Sequence, residues 1–291
     1  MKVNIVNYET GYGENWVFTA LAEKINYGFN DLGFISEISK SPLVDFDMFL
    51  HISYGQANNL NHSKINFAYV THIDEVSKLN RVIGLARDGV KCLCMSDDTA
   101  WRLNKLSLTD NFHGVRTPSL QVDESYSNSL KLVFSYRLYD DGRKNIDDVY
   151  YIIEKLSKVV SLEITIIGSG WESFISKTNE NLTNCKILYV ANFHKQTYVN
   201  ALRECDFLVY TGLDEGSISF LDALVFGKKV LVTAQGFHLE YSNMPNVYLY
   251  SGRQQLDDVL NEISREKIEK NKSYLELTSW TSYCKKIINC I

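Results

Sequence analysis

The stretch 206–233 constrains the fold most, because its pattern predicts a strand, a loop, a helix and a second strand. An apolar run at 206–211 predicts the first strand, and 228–233 predicts the second. Between them, an acidic loop with a glycine leads into a short apolar helix. Ser217 can begin that helix as its N-cap, and Gly227 can end it. Such a helix start offers free backbone N–H groups to phosphate or sugar oxygens.

Other parts of the chain repeat this alternation of strand and helix. Short apolar runs predict further strands at 3–6, 46–52, 66–70, 90–95, 131–136, 162–167, 187–191 and 246–250. Continuous apolar strands alternating with helices are typical of parallel sheets that are covered on both faces. Because 291 residues exceed what one core usually supports, we expect two domains. We place them at 1–125 and 126–270, followed by a predominantly helical C-terminal segment, 271–291.

Composition and charge narrow the classes of partner and location. The formal net charge of −5 provides no general attraction to nucleic acid. No apolar run is long enough to span a bilayer, and the N-terminal residues predict a strand instead of a signal peptide. We therefore expect a cytoplasmic protein. The six cysteines lack metal-ligand spacing, which argues against structural zinc and a disulfide framework, and Cys92 and Cys94 are expected to be buried.

Acidic side chains bracket the loop of the 206–233 stretch. Glu215 and Asp222 would lie about two helical turns apart if both were helical, so they could share one face. Carboxylates accept hydrogen bonds from paired sugar hydroxyls, because each offers several lone pairs. The alternative is an ordinary strand-to-helix turn, since acids near a helix N-terminus are favourable in themselves.

This stretch resembles the acidic signature of retaining glycosyltransferases with the GT-B fold, notably glycosyltransferase family four. That signature reads Glu-Gly-Phe-Gly-x-x-x-x-Glu-Ala. Asp222 takes its second acidic place, while the first falls on Asp214 by spacing and on Glu215 by the Glu-Gly pair. The resemblance implies that Asp222 holds the ribose of a nucleotide sugar. It also implies that Asp214 or Glu215 contacts the sugar, with the N–H groups of Gly216 and Ser217 nearby.

A basic segment follows the predicted strand 131–136. It resembles the family's Gly-Arg-Leu…Lys-Gly segment, in which Arg and Lys hold the donor diphosphate, and Arg137 and Lys144 occupy those places. Cations there would stabilise a departing nucleoside diphosphate more in the transition state than before it. Arg143 is an alternative cation for the same role. A basic loop on a solvated rim is the other interpretation of the segment.

Two further residues complete the predicted donor site. Gly168 follows the predicted strand 162–167 and would let the backbone approach a ligand closely. The family has Gly-x-Gly in the same place. Phe193 follows the strand at 187–191, where the resemblance implies the nucleobase, so it could stack on a base; a core position is equally compatible with the sequence.

The first predicted domain carries fewer motifs. Gly13 belongs to an incomplete dinucleotide fingerprint, so it either lies near donor or acceptor or only makes a tight turn. His72 follows a predicted strand at its carboxyl end, where open α/β sheets bind ligands. The resemblance implies the acceptor side for His72, and a structural histidine is the alternative. Ser96 is predicted to cap a helix, and the polar stretch 111–128 is the predicted interdomain linker.

Taken together, the resemblance implies an α/β protein of the GT-B fold, with two Rossmann-like domains facing across a cleft. The C-terminal helix would cross back to the first domain. The first domain would bind the acceptor, and the second a nucleotide sugar of the UDP or GDP type. The expected function is retaining, metal-independent hexosyl transfer to a glycan or lipid-linked oligosaccharide in bacterial surface polysaccharide or lipopolysaccharide synthesis, without a cofactor.

Two other functions are compatible with these residues. A nucleotide-sugar epimerase can share the fold, and a non-catalytic partner of another transferase could bind the nucleotide sugar without turning it over. Contact between the Lys285–Lys286 patch and anionic lipid at the inner face of the membrane is an alternative to a solvated face. The sequence leaves the oligomeric state open.

Overall fold

The computed structural model describes residues 1–8, 17–104, 109–111, 129–181, 184–192, 194–265 and 279–291. The chain divides into two compact units. The first unit comprises Met1–Arg116 with Leu277–Ile291, and the second unit comprises Thr117–Glu276. Each unit contains one parallel sheet with helices between the strands, so the predicted α/β class is confirmed.

The first unit is built on a six-stranded sheet with the order β2-β1-β3-β4-β5-β6. Its strands are β1 (Lys2–Val6), β2 (Ile35–Ser39), β3 (Met48–His51), β4 (Ile65–Val70), β5 (Lys91–Cys94) and β6 (Thr109–Asn111). Its helices include α1 (Val17–Asp31), α2 (Val76–Arg87) and α3 (Asp97–Asn104). Ser96 caps α3 as predicted, since its hydroxyl accepts from the Thr99 N–H at 3.0 Å.

The second unit has a six-stranded sheet with the order β12-β11-β10-β7-β8-β9. Its strands are β7 (Ser129–Ser135), β8 (Ser161–Ile167), β9 (Cys185–Val190), β10 (Phe207–Tyr210), β11 (Lys229–Thr233) and β12 (Val247–Tyr250). Its helices include α4 (Ile146–Ser157), α5 (Glu172–Asn181), α6 (Lys195–Glu204), α7 (Ile218–Val225) and α8 (Arg253–Arg265). Every residue of β10 and β11 is buried, which is why these strands lack an alternating polar pattern.

The C-terminal helix α9 (Trp280–Ile288) packs on α1 within the first unit. Tyr283 and Ile287 are fully buried in the same apolar cluster as residues of β1 and α1. The two helices approach closely at Gly28, where a Cβ would lie 2.6 Å from the Trp280 carbonyl oxygen. The predicted return of this helix to the first unit is confirmed, and a glycine makes the contact possible.

The sequence patterns missed the two strands at the edges of the first sheet. β2 is largely exposed and mixes polar with apolar residues, and β6 consists of three polar residues. Edge strands need no continuous apolar run, because only one side pairs and both faces are less covered. The predicted linker 111–128 lies outside the described residues except for Asn111, which ends β6. Residues 271–278 of the predicted C-terminal segment also lie outside them.

Strand order reverses once in each sheet. The first strand of the second unit, β7, has β8 on one side and β10 on the other, and both pairs are parallel. Connections on the two sides of such a switch point leave in opposite directions, so a crevice opens at the carboxyl ends of the strands. The segments that follow β7 and β10 are therefore where a ligand of the second unit is expected.

Candidate functional site

A buried ion pair lies where β7 and β10 end. Lys144, in the segment after β7, places its Nζ 2.6 Å from Oδ2 of Asp214, in the loop after β10. The two side chains are only 9% and 11% exposed. These residues are far apart in sequence, and the pairing of β7 with β10 brings their segments together. The structure thus joins a predicted phosphate-binding cation to a predicted sugar-binding acid.

Tyr210, the last residue of β10, joins both members of this pair. Its buried phenol oxygen accepts a hydrogen bond from Lys144 Nζ and donates one to Asp214 Oδ1. Lys144 Nζ also lies 4.7 Å from the centroid of the Tyr210 ring, a cation–π distance. No sequence pattern indicates this role, because Tyr210 lies in an apolar strand and resembles a core residue.

Burial and charge set the protonation of this cluster. Burial lowers the pKa of the Lys144 amine, and the adjacent Asp214 carboxylate opposes that shift by favouring the charged form. Burial and the Asp214 charge together raise the pKa of Tyr210 well above its ordinary value. Tyr210 therefore stays protonated and can keep donating to Asp214.

Two arginines of the predicted basic segment stack on one tyrosine. The guanidinium carbon of Arg143 lies 4.0 Å from the centroid of the Tyr139 ring, and that of Arg137 lies 5.1 Å from it. Arg143 also has its Nε 3.1 Å from Oδ2 of Asp141, whereas Arg137 is exposed. The segment 137–144 therefore presents three cations, of which Lys144 is the most buried.

The loop that carries the predicted acids is clamped by a second loop. Gly216 has φ of +110°, and a Cβ on it would lie 2.9 Å from His238 Nε2. Gly236, after β11, has φ of +54°, and a Cβ there would lie 2.3 Å from the Glu215 carbonyl oxygen. The Phe237 N–H donates to that same carbonyl at 3.2 Å. Both glycines are thus required by close packing and by backbone conformation.

The start of α7 differs from its prediction in two respects. Ser217 occupies the N-cap position, but its hydroxyl bonds to the Ser219 hydroxyl and caps no backbone N–H. The Ser217 N–H was expected to be free, and it donates instead to His238 Nε2 at 3.2 Å. Gly227, at φ of +66°, follows the helix end as predicted.

Asp222 and Glu215 do not share a helix face. Asp222 lies in α7, but Glu215 precedes that helix, so the predicted common face is wrong. Asp222 accepts a hydrogen bond at 2.7 Å from the hydroxyl of Tyr198 in α6. Sequence reasoning missed Tyr198, whose position carries no recognisable motif.

The other predicted donor-site residues have different outcomes. Gly168 follows β8 with φ of +121°, and a Cβ there would lie 2.5 Å from the Tyr136 carbonyl oxygen, so its backbone is packed against the segment after β7. Phe193 and Gly13 lie outside the described residues. Among the described residues, no group of three or more His, Cys, Asp or Glu side chains could hold a metal ion.

His72 belongs to the first unit and is partly exposed just beyond the carboxyl end of β4. Its Nδ1 is 3.0 Å from the Thr71 hydroxyl, and its Nε2 is 4.0 Å from Asp74 Oδ1. Its carbonyl accepts from the Tyr54 hydroxyl at 2.7 Å. The strand end is the predicted place, and the ring is held there by polar neighbours. Within the described parts of the chain, no helix is both long and apolar enough to cross a membrane.

Comparisons with known proteins were made by sequence and by structure. Neither a family model nor a curated protein sequence matches the chain. Among solved structures, HepE of Anabaena in complex with UDP and glucose matches with a TM-score of 0.68 and 12% identity, over 100% of this chain and 99% of that one. WaaG, a glycosyltransferase involved in lipopolysaccharide biosynthesis, matches with a TM-score of 0.60 and 13% identity, over 99% and 95%.

The chain has the GT-B fold. A third structure agrees, an α-glucosyltransferase in complex with UDP and a DNA 13-mer, at a TM-score of 0.60 and 11% identity over 97% of this chain and 94% of that one. The GT-B fold expected from the sequence is confirmed. Identities this low establish the fold and leave function to the residues of the site.

Proposed function

We propose that the chain is a glycosyltransferase whose donor is a nucleoside-diphosphate sugar of the UDP or GDP type. The observation that carries the proposal is the buried Lys144–Asp214 pair at the switch point of the second unit's sheet, in a chain with the GT-B fold. Support also comes from HepE and the α-glucosyltransferase, both of which have UDP bound and share this fold. No cofactor besides the donor is invoked.

The basic segment 137–144 would hold the donor diphosphate. Arg137 is exposed, and no carboxylate lies within ion-pair distance of it among the described residues, so its guanidinium can grip two phosphate oxygens. Arg143, which also lies over the Tyr139 ring, would reinforce the positive charge. Lys144 would turn from Asp214 towards the leaving phosphate as negative charge grows there. Departure of the nucleoside diphosphate would thus be assisted by side-chain cations.

Asp214, Glu215 and Asp222 would each have a different role in the site. Both carboxylate oxygens of Asp214 already have partners, Lys144 and Tyr210, so we assign it to orienting Lys144. Glu215 is left as the acid for the sugar hydroxyls, as its Glu-Gly pairing suggests. Asp222 accepts from Tyr198 through Oδ2 alone, and its Oδ1 has no partner within the described part of the chain. That oxygen could accept a ribose hydroxyl.

The finer aspects of the function follow the family resemblance. We propose retention of anomeric configuration without a bound metal ion, and transfer to a glycan or lipid-linked oligosaccharide in surface polysaccharide synthesis. Residues 1–125 would bind the acceptor, with His72 on that side, and 126–270 would bind the donor. The proposed place of action is the cytoplasm, with possible contact at the inner face of the membrane.

Thermal shift against UDP, GDP, ADP and their sugars tests the donor assignment. Binding to the native state must raise the melting temperature by mass action. We expect the melting temperature to rise with one nucleotide class. No rise with any nucleotide or nucleotide sugar of the panel would overturn the proposal. Conversion of the donor without acceptor would indicate an epimerase instead. Binding without either reaction, across a panel of glycan acceptors, would indicate a non-catalytic partner.

Lys144→Ala tests the catalytic assignment. Because it removes the buried cation assigned to the leaving phosphate, we expect transfer to fall about 100-fold or more, and nucleotide binding to weaken. Lys158→Ala is the matched control, since Lys158 forms an exposed pair with Glu154 in the same unit. Wild-type turnover in a folded Lys144→Ala protein would refute the role given to Lys144.

A further inference from the structure

His238 lies behind the loop 214–217 and is fully buried. It belongs to the short 3₁₀ turn Gly236–Tyr241 that follows β11. Its ring centroid is 5.5 Å from that of Tyr210 and 4.6 Å from that of Phe220. The ring therefore touches both the tyrosine that holds the Lys144–Asp214 pair and the helix that carries Asp222.

Both ring nitrogens of His238 have partners that fix their roles. Nδ1 is 2.9 Å from the Thr233 carbonyl oxygen, which can only accept, so Nδ1 carries the proton. Nε2 is 3.2 Å from the Ser217 backbone nitrogen, which can only donate, so Nε2 carries none. Two independent contacts thus specify one neutral tautomer, protonated at Nδ1. Burial agrees, since it lowers the pKa of His238 to about 4.

The neighbours of His238 pack closely around the loop. Gly216 passes so close that a Cβ on it would meet both His238 Nε2 and the ring of Phe237 at 2.9 Å. The charged groups that act on the imidazole are Asp214, which favours its protonated form, and Lys144, which opposes it. The ring is thus placed between the Lys144–Asp214 pair and the start of α7.

We propose that His238 is a positioning residue, whose neutral Nδ1–H imidazole holds the peptide between Gly216 and Ser217 in the conformation that receives the donor sugar and diphosphate. This rests on the proposed function for the ligand, but the contact itself exists without one. The ring accepts from Ser217 while Thr233 fixes its orientation, so the end of β11 sets the backbone of the loop after β10. A charged imidazole would lose its acceptor nitrogen and release the loop.

Three substitutions separate the two hydrogen bonds from the packing. His238→Phe keeps an aromatic ring and removes both bonds. In His238→Asn the amide can still donate to Thr233, and in His238→Gln the amide oxygen can still accept from Ser217. We expect amide hydrogen exchange at Ser217 in the ligand-free protein to accelerate about tenfold in the Phe and Asn variants, since a hydrogen bond is worth roughly a factor of ten. The Gln variant should stay close to wild type.

Donor binding and turnover give the second measurement. The Kd for the nucleotide sugar and the KM should rise about tenfold in His238→Phe and His238→Asn, with partial rescue in His238→Gln. His62→Phe, at an exposed histidine of the first unit, is the control and should change neither measurement. If the wild type binds no nucleotide sugar, the proposed function fails, while the exchange experiment still tests the hydrogen bond.

Two results would overturn the inference. One is wild-type exchange at Ser217 together with wild-type donor affinity in folded His238→Phe. The other needs no variant: nitrogen-15 NMR of the native protein at neutral pH should show a neutral imidazole protonated at Nδ1. A charged ring or an Nε2-protonated ring would contradict the structure, even if every substitution at position 238 prevented folding.

Discussion

Asp214→Asn tests the charge of the buried pair, because it keeps the size of the side chain and one of its two acceptor oxygens. The asparagine oxygen can still accept from Lys144 or Tyr210, but the negative charge is gone. Lys144 then keeps a positive charge in a site that is almost closed to water. Within the described part of the chain, Asp214 is the acid in ion-pair contact with Lys144, and Asp141 acts on the amine only more weakly, so no other carboxylate replaces the lost charge at that distance.

The size of the effect follows from the burial of both partners. Removing one member of a buried ion pair costs about 3–5 kcal/mol, mostly from the charge that is left behind. Because Asn retains one of the two hydrogen bonds that Asp214 accepts, we expect the lower end, about 3 kcal/mol of the free energy of unfolding of the second unit. A domain is stable by only about 5–15 kcal/mol, so this loss should be large and easily measured.

Urea unfolding followed by the fluorescence of Trp171 is the appropriate assay. Trp171 is fully buried in the core of the second unit, and the other tryptophans lie at 16, 101 and 280, outside that unit. Lys158→Ala should leave the unfolding midpoint unchanged, since that pair is exposed. Lys144→Met combined with Asp214→Asn should recover part of the stability that Asp214→Asn loses, because the uncompensated charge is removed.

The pH dependence of the stability of Asp214→Asn is an independent test that an uncompensated Lys144 charge causes the loss. In Asp214→Asn, the pKa of folded Lys144 loses the opposing effect of the carboxylate and should fall further below its unfolded value. Between the folded pKa of Lys144 and the unfolded pKa of lysine, the unfolded chain then binds more protons than the folded one, so stability should rise with pH within that window. A loss of less than about 1 kcal/mol, as for an exposed pair, would refute the argument.

Three further perturbations have defined outcomes. His51 and His238 both have a pKa lowered to about 4 by burial, so the unfolded chain takes up protons first as pH falls below 6.5. Protonation of each histidine should lower the free energy of unfolding by roughly 3 kcal/mol as the pH falls from 6.5 to 4. Urea unfolding at a series of pH values measures this loss, and a stability that does not change with pH would contradict it. Gly28→Ala should lower the stability of the first unit by about 1–3 kcal/mol through overpacking, and an unchanged Tm would argue against the close helix contact. Tyr198→Phe should weaken nucleotide binding a few-fold without changing Tm, because it frees one oxygen of Asp222; unaltered affinity would show that this hydrogen bond does not orient the carboxylate.

The interior strands could be predicted because burial of both faces produces a continuous apolar run within the strand itself. β10 is apolar at every position, and so are the three middle residues of β11, because both faces of these strands are covered; that pattern is visible in the sequence. The edge strand β2 was missed because its largely exposed positions tolerate polar residues, and β6 was missed because its three residues are all polar. These strands form because a neighbouring strand has backbone groups available for pairing, and a local sequence pattern does not contain that information.

The site residues divide in the same way. Lys144 and Asp214 were each predicted to serve a donor site, but their direct pairing depends on β7 lying next to β10. Tyr210 was hidden by its apolar strand, and His238 by a separation of 21 residues from Ser217. Glu215 was wrongly placed on the face of Asp222, because spacing alone cannot fix where α7 begins.

The docking of α9 on α1 also affects the order in which the protein can be made. During synthesis, the 160 residues Thr117–Glu276 leave the ribosome before the helix that supplies Tyr283 and Ile287 to the earlier core. The second unit can therefore reach its native state first, while the core of the first unit is incomplete until α9 packs on α1. A truncated chain that ends before residue 279 should therefore resist protease in the second unit and remain sensitive in the first unit.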